Sequence, residues 1–307
     1  MSLWEWEKYK KCCMNKGIFE QTNRQTTQHE RWTTKKVDQM STEEILTKLQ
    51  EIGIAIDERT FTQEIKTKKS SVALALQWEK MYKRNIDDPI IDFVYIAVGV
   101  LAKRLAPEHI LIEQLNSMMQ EGYFLYGQGK EKEACELWWE VWRKTLQWLA
   151  PREISSVEKL NQLTKPSMTQ IYSNWVQDFE TALSELGQKD EQFLEMLIQY
   201  TTEFREVFSQ TNSNIMMNMG ISAREAFFQL DRVKEGEELF TKLIEEKHDD
   251  PAWIYIRWGD LYTEWMNGGT IDHKKAESLY KKALELAKDE RDKEAILERI
   301  NDLRGEE

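Results

Sequence analysis

Turn-forming residues are scarce in this chain of 307 residues, which has 13 Gly and 5 Pro, roughly half the usual share of the two. A β-sandwich or barrel needs such residues at its many corners, so both architectures are disfavoured. Cysteine is scarce too: Cys12, Cys13 and Cys135. Adjacent Cys12 and Cys13 would close a strained ring as a disulfide, and an odd total leaves a free thiol. That usage fits a reducing compartment, and the cytoplasm is the expected location. Long apolar runs are missing. The most apolar stretch, 90–102, is 13 residues long and contains Asp92, against the ~20 residues a membrane span requires, and the N-terminus has no run of signal-peptide type. No membrane insertion is expected. Basic excess is missing as well. A net charge of −12 and a pI near 5.1 argue against a nucleic-acid partner, because phosphate binding needs a basic face. There is no nucleophile elbow, Walker loop, HExxH or dinucleotide fingerprint. The expectation is therefore no enzyme and no catalytic residue.

What is present suits a packed helical protein. Apolar residues make up 41% and charged residues 31%, enough for a core without the charge excess of a disordered chain. Residues 1–40 stand apart. They carry eight Lys/Arg and five Asp/Glu, so the net charge divides into +3 there and −15 beyond. Gln and Thr crowd 21–34 without apolar periodicity, which reads as an arm or linker.

Helical punctuation begins at Ser41, where Ser41 and Glu44 have capping-box spacing and Ile45, Leu46, Leu49 and Ile52 recur at helical intervals. Further helices are expected over 72–82, 90–105, 107–126, 131–149, 168–186, 191–208, 215–230, 233–246, 253–266, 273–287 and 293–303. Asp88-Pro89 and Asp250-Pro251 read as N-caps followed by proline at the first helical position. No segment alternates with strand period for long enough to build a sheet. The fold expected is all-α, with short connections that favour antiparallel helix pairs. The chain divides into an arm (1–40), a helical region with one repeat-like pair (41–150), a helical pair with its connector (151–211), and C-terminal repeats (212–307).

A small-residue pattern recurs. Gly122 is followed by Ala134, Trp138 and Val141; Gly259 by Ala276, Tyr280 and Ala283; and Gly236, Phe240 and Leu243 repeat the 0, 4, 7 spacing. A small residue on each helix lets two backbones approach, and a large one fills the space beside the crossing. This pattern resembles the tetratricopeptide repeat (TPR), a helix–turn–helix unit of 34 residues, most closely at Gly122-Tyr123…Ala134-Cys135-Glu136-Leu137-Trp138 and at Trp258-Gly259-Asp260-Leu261-Tyr262…Ala276 to Glu285. The second match has an enlarged turn at 267–272 and lacks the closing proline. The resemblance covers roughly 115–150 and 215–290. It implies a TPR-like α-solenoid of stacked helix pairs whose concave face binds peptides or proteins. The inward-facing positions implied are Asn116, Tyr123 and Tyr126, then Asn218, Glu225 and Phe228, then Trp253, Asp260 and Glu264. Asn side chains can hold an extended peptide backbone, and the three carboxylates would favour a basic ligand.

Lys8-Tyr9-Lys10-Lys11-Cys12-Cys13 resembles the second half of the SEC-C motif, a small zinc module appended to many bacterial proteins. Its first half is not matched, since Met1 and Leu3 stand where cysteines are needed and Trp4-Glu5-Trp6 replaces the Gly-Ser-Gly turn. Structural zinc needs four ligands, so Cys12 and Cys13 form an incomplete site. Either the chain as given starts inside the motif or the module has decayed. The expected function is that of a non-enzymatic protein- or peptide-binding adaptor of the bacterial cytoplasm. The alternative is a peptide-sensing regulator whose superhelix changes curvature on binding. Self-association stays open. Trp138, Trp139, Trp142 and Trp148 are read as core, Cys135 as an inert thiol, and His248-Asp249-Asp250 as a cap rather than a metal site.

Overall fold

The computed structural model describes residues 32–82, 90–150, 152–246, 248–265 and 271–305, and these residues form helices without a strand. The first five helices are α1 (Thr34–Asp38), α2 (Thr42–Glu51), α3 (Glu58–Lys66), α4 (Ser71–Met81) and α5 (Ile90–Leu105). Helices α1 to α4 all pack on α5. A helix surrounded in this way must be apolar on most of its circumference, which explains the run at 90–102. Phe93, Ala97, Val98 and Leu101 are fully buried there, each large side chain contributing roughly 1.5–3 kcal/mol. The Ser41 capping box forms as its spacing suggests: the Glu44 amide donates to Ser41 Oγ at 3.1 Å, and the Ser41 amide donates to Glu44 Oε2 at 2.6 Å.

The next five helices, α6 (Ile112–Gly127), α7 (Glu131–Leu149), α8 (Val157–Thr164), α9 (Tyr172–Gly187) and α10 (Gln192–Val207), enclose a second core. The last five are α11 (Ser213–Gln229), α12 (Val233–Glu245), α13 (Ala252–Asp260), α14 (His273–Leu286) and α15 (Glu290–Arg304), and they surround a third. The pairs α6/α7, α9/α10, α11/α12 and α13/α14 stack in series. The second helix of each pair meets the first helix of the next, at α7/α9, α10/α11 and α12/α13, and α9, α11 and α13 touch in a row. This is a solenoid-like arrangement, closed at its end by α15 lying on α14.

Close glycine–aromatic crossings set the pairing. A Cβ on Gly122 would lie 2.1 Å from Trp138 Nε1, and one on Gly259 would lie 2.5 Å from Tyr280 Cε1. These are the partners that the 0, 4, 7 spacing assigned. In the third instance the glycine is on the second helix, and Gly236 faces the Phe228 ring at 2.6 Å. Trp138, Trp142 and Trp148 are core residues at 1%, 0% and 5% exposure.

Several expectations are corrected. Residues 32–40 pack on the first core rather than extending the arm: Val37 is fully buried in α1, and the Trp32 ring sits 4.8 Å from Phe93. Helices α1, α3 and α8 were not expected from the sequence. Helix α6 starts at Ile112 instead of 107, and α13 stops at Asp260 instead of running to 266. The Thr263 hydroxyl donates to the Asp260 carbonyl at 2.7 Å and supplies a partner that helix continuation would have supplied. Asp250 does not cap α13; the cap position is Pro251, with no side-chain bond. Among the described residues, no helix is long and apolar enough to cross a membrane.

Candidate functional site

Eight of the nine sequence-predicted contact positions fall on α6, α11 and α13, and Glu264 lies in the turn after α13. With α9 these helices form one row of the stack, held together by a ladder of polar joints. Between α6 and α9, Tyr123 Oη donates to Asp178 at 2.5 Å and Tyr126 Oη donates to Glu185 at 2.6 Å. Between α9 and α11, Ser222 Oγ donates to Glu180 at 2.5 Å. Between α11 and α13, the Arg257 fork donates to both oxygens of Glu225 at 2.6 and 2.7 Å. At the end, Asp260 accepts from Tyr280 Oη at 2.7 Å and from Arg299 Nε at 3.0 Å.

Most predicted positions therefore serve the stack itself. Tyr123, Tyr126, Glu225 and Asp260 are joints. Asn116 accepts from the Thr169 amide and hydroxyl at 2.8 and 2.9 Å, pinning the segment before α9. Phe228 is corrected from contact surface to core: it is 1% exposed and fills the space over Gly236. Trp253 is half-buried against the third core. Asn218 is exposed, and Glu264 is exposed with His273 Nε2 at 2.8 Å. Cys12 and Cys13 lie outside the described residues. Cys135 is fully buried, and burial pushes its thiol up to about 12, so it is unreactive.

Three ladder carboxyls, Asp178, Glu180 and Glu225, sit where water reaches them poorly, while Glu185 is exposed. Burial raises Asp178, with the Tyr123 hydroxyl opposing. Burial also pushes Glu180 up to about 7; the Ser222 hydroxyl and Arg257 oppose the rise and the Glu225 charge adds to it. The folded state thus holds the Glu180 proton to higher pH than the unfolded chain, whose carboxyl ionises near 4.5. Stability contributed by the neutral form is present below that value and is lost as pH rises to about 7. Glu180→Gln is expected to remove this loss, raising stability at pH 8 by on the order of 2 kcal/mol with little change at pH 4.5. Urea midpoints across that range test it, and an equal effect at both pH values would refute the assignment.

A second feature was not seen in the sequence. Helices α5 and α6 are consecutive and long, yet they are not packed as a pair. Between them lies a groove of about 800 Å³, within the range of ligand sites. Its α5 wall offers Ile96, Gly99, Val100 and Ala102, with Ala106 just past the helix end, and its α6 wall Ser117, Met118 and Glu121. A Cβ on Gly99 would meet nothing within 4 Å. The local signal was a glycine inside the most apolar helix. The first core is fastened to the second near one end of this groove. Glu113 accepts from the Ser71 amide at 3.0 Å and from the Ser70 hydroxyl, capping α4 from α6. His109 Nε2 donates to the Lys68 carbonyl at 2.7 Å, and the Ile112 amide donates to the Lys69 carbonyl at 3.1 Å.

No family model, curated protein or solved structure matches this chain.

Proposed function

We propose that this chain is a non-enzymatic binding scaffold, an adaptor of the cytoplasm that takes a helical segment of a partner protein into the groove between α5 and α6. The observation that carries this reading is that α5 and α6, two long consecutive helices, do not pack on each other, in a stack where the other long neighbours do. Gly99 leaves open space for a guest helix to approach closely, Ile96 and Met118 are half-buried and offer apolar contact, and Val100, Ala102 and Ala106 back them from the first core. Asp38 and Glu121 on the lining against Lys103 favour a guest with basic flanks. The glycine–aromatic crossings support kinship with tetratricopeptide pairs, and cysteine usage supports a reducing compartment.

A second reading, a sensor whose shape responds to its ligand, draws on the fastening at Lys68–Ser71. A guest wedged between α5 and α6 would bias the angle at that joint.

The test is site-specific photocrosslinking from Ser117, an exposed groove residue, with the captured partner segment identified by mass spectrometry. Gly99→Leu fills the floor and is expected to reduce crosslinking about tenfold or more while the fold persists. Crosslinking that Gly99→Leu leaves intact, or a captured segment without helical amphipathic pattern, would overturn the proposal.

A further inference from the structure

Arg152 follows α7 and lays its guanidinium over the Trp148 ring, 3.6 Å from the centroid. Both terminal nitrogens, Nη1 and Nη2, are buried without a hydrogen-bond partner, and no ion pair of Arg152 occurs among the described residues. A guanidinium does not give up its charge in a protein, so it cannot escape this position by becoming neutral. An unpaired buried donor of this kind calls for an acceptor from outside the chain. Stacking on an indole fixes the plane of the fork, and a fixed fork matches the two oxygens of a carboxylate or phosphate.

A second basic residue meets the same tryptophan through its backbone. Trp148 Nε1 donates to the Lys69 carbonyl at 3.4 Å, which brings residue 69 to the edge of the ring whose face Arg152 covers. The Lys69 side chain is exposed and has no ion pair among the described residues. Burial and the Arg152 charge both lower its pKa, so the two cations feel each other. Arg152 also lines a cavity of about 470 Å³ with Glu153, Ser155, Lys159 and Gln210, which Lys69 does not line.

We propose that Arg152 and Lys69 form a site for an oxyanion, a carboxylate or phosphate group held by the Arg152 fork and the Lys69 ammonium beside Trp148. Lys69 belongs to the segment that fastens the first core, and Arg152 follows the last turn of α7 in the second. A bound oxyanion therefore bridges the two and tightens the joint beside the groove. Neither Arg152 nor Lys69 lines the groove, so the site is tested without a groove guest.

The experiment measures thermal midpoints of the full chain in sodium phosphate, sodium acetate and sodium chloride at equal ionic strength. Phosphate or acetate is expected to raise the midpoint saturably above the chloride value, because a ligand bound only by the folded state stabilises it by mass action. The arm that responds names the anion. Lys69→Gln changes an exposed side chain and should fold; it is expected to weaken the apparent affinity about tenfold. Arg152→Gln should abolish the response, and Arg152→Lys should restore little of it, because an ammonium lacks the fork. A response that survives both Lys69→Gln and Arg152→Gln, or no response to either anion above chloride, overturns the proposal.

Discussion

Replacing Arg257 by Met is expected to cost about 3 kcal/mol of stability at pH 8 and clearly less at pH 5. The Glu225 side chain is 7% exposed, and its two oxygens are taken by the Arg257 fork at 2.6 and 2.7 Å. Removing one member of a buried ion pair leaves the other charge uncompensated, typically at a cost of about 3–5 kcal/mol. The lower end applies here because the Arg257 side chain is 44% exposed and its charge is partly screened by solvent. Burial raises the Glu225 carboxyl, the neighbouring Asp260 charge adds to the rise, and Arg257 opposes it. Without Arg257 the folded pKa climbs further above the ordinary 4.5. The variant's penalty is then absent where the unfolded carboxyl is still protonated, and it grows as pH rises through the folded pKa. Glu225→Gln combined with Arg257→Met removes the stranded charge and should recover most of the loss. Urea unfolding at the two pH values measures this. A loss independent of pH, or a double variant no better than the single one, would show that the pair does not join α11 to α13 as described.

The same pair shows how far the sequence could be read. The resemblance to tetratricopeptide pairs implied that Glu225 and Asp260 lie on helices of one row. It could not show that Glu225 faces Arg257, 32 residues later, since such a pairing depends on the angle between two helices. Phe228 was misassigned for a related reason. It lies one turn beyond Glu225, on the same side of α11, but Gly236 opens a space that only a ring from α11 fills. The unexpected helix α3 has buried apolar residues only at Phe61 and Ile65, too few for a periodicity, although Asp57 caps it through the Thr60 amide at 2.7 Å. The early end of α13 follows from the Thr263 hydroxyl bond, a choice between two backbone partners that propensity does not resolve. The groove was illegible for a stronger reason. It is defined by two helices failing to pack, and helical periodicity records which faces are apolar without recording what covers them.

Two glycines, one on each of the helices that flank that groove, should respond to the same substitution with opposite signs. Gly99→Ala adds a Cβ into open space within α5 and should stabilise the chain by about 0.5–1 kcal/mol, the usual gain from removing glycine's freedom in a helix. Gly122→Ala has the same intrinsic gain but places its Cβ 2.1 Å from Trp138 Nε1 and 2.5 Å from Cδ1. The ring has nowhere to go. It is 1% exposed, donates to the Met119 carbonyl at 3.2 Å, stacks on Tyr126 at 5.9 Å, and meets the edges of Tyr123 and Phe179 at 4.9 and 6.0 Å. Overpacking a filled core costs about 1–3 kcal/mol, and a contact this short belongs at the upper end, for a net loss of about 2 kcal/mol. Trp138→Ala empties the space instead and should cost about 3–5 kcal/mol. Combining Gly122→Ala with Trp138→Leu frees room for the new methyl, so the double variant should lose less than its two single variants together. Since Trp138 also supports Tyr123 and Tyr126, the bonds to Asp178 and Glu185 that join α6 to α9 should loosen with it, seen as faster amide exchange at the start of α9 in Gly122→Ala. Additive losses in the double variant, or a stabilising Gly122→Ala, would mean that α6 and α7 cross somewhere other than at this glycine.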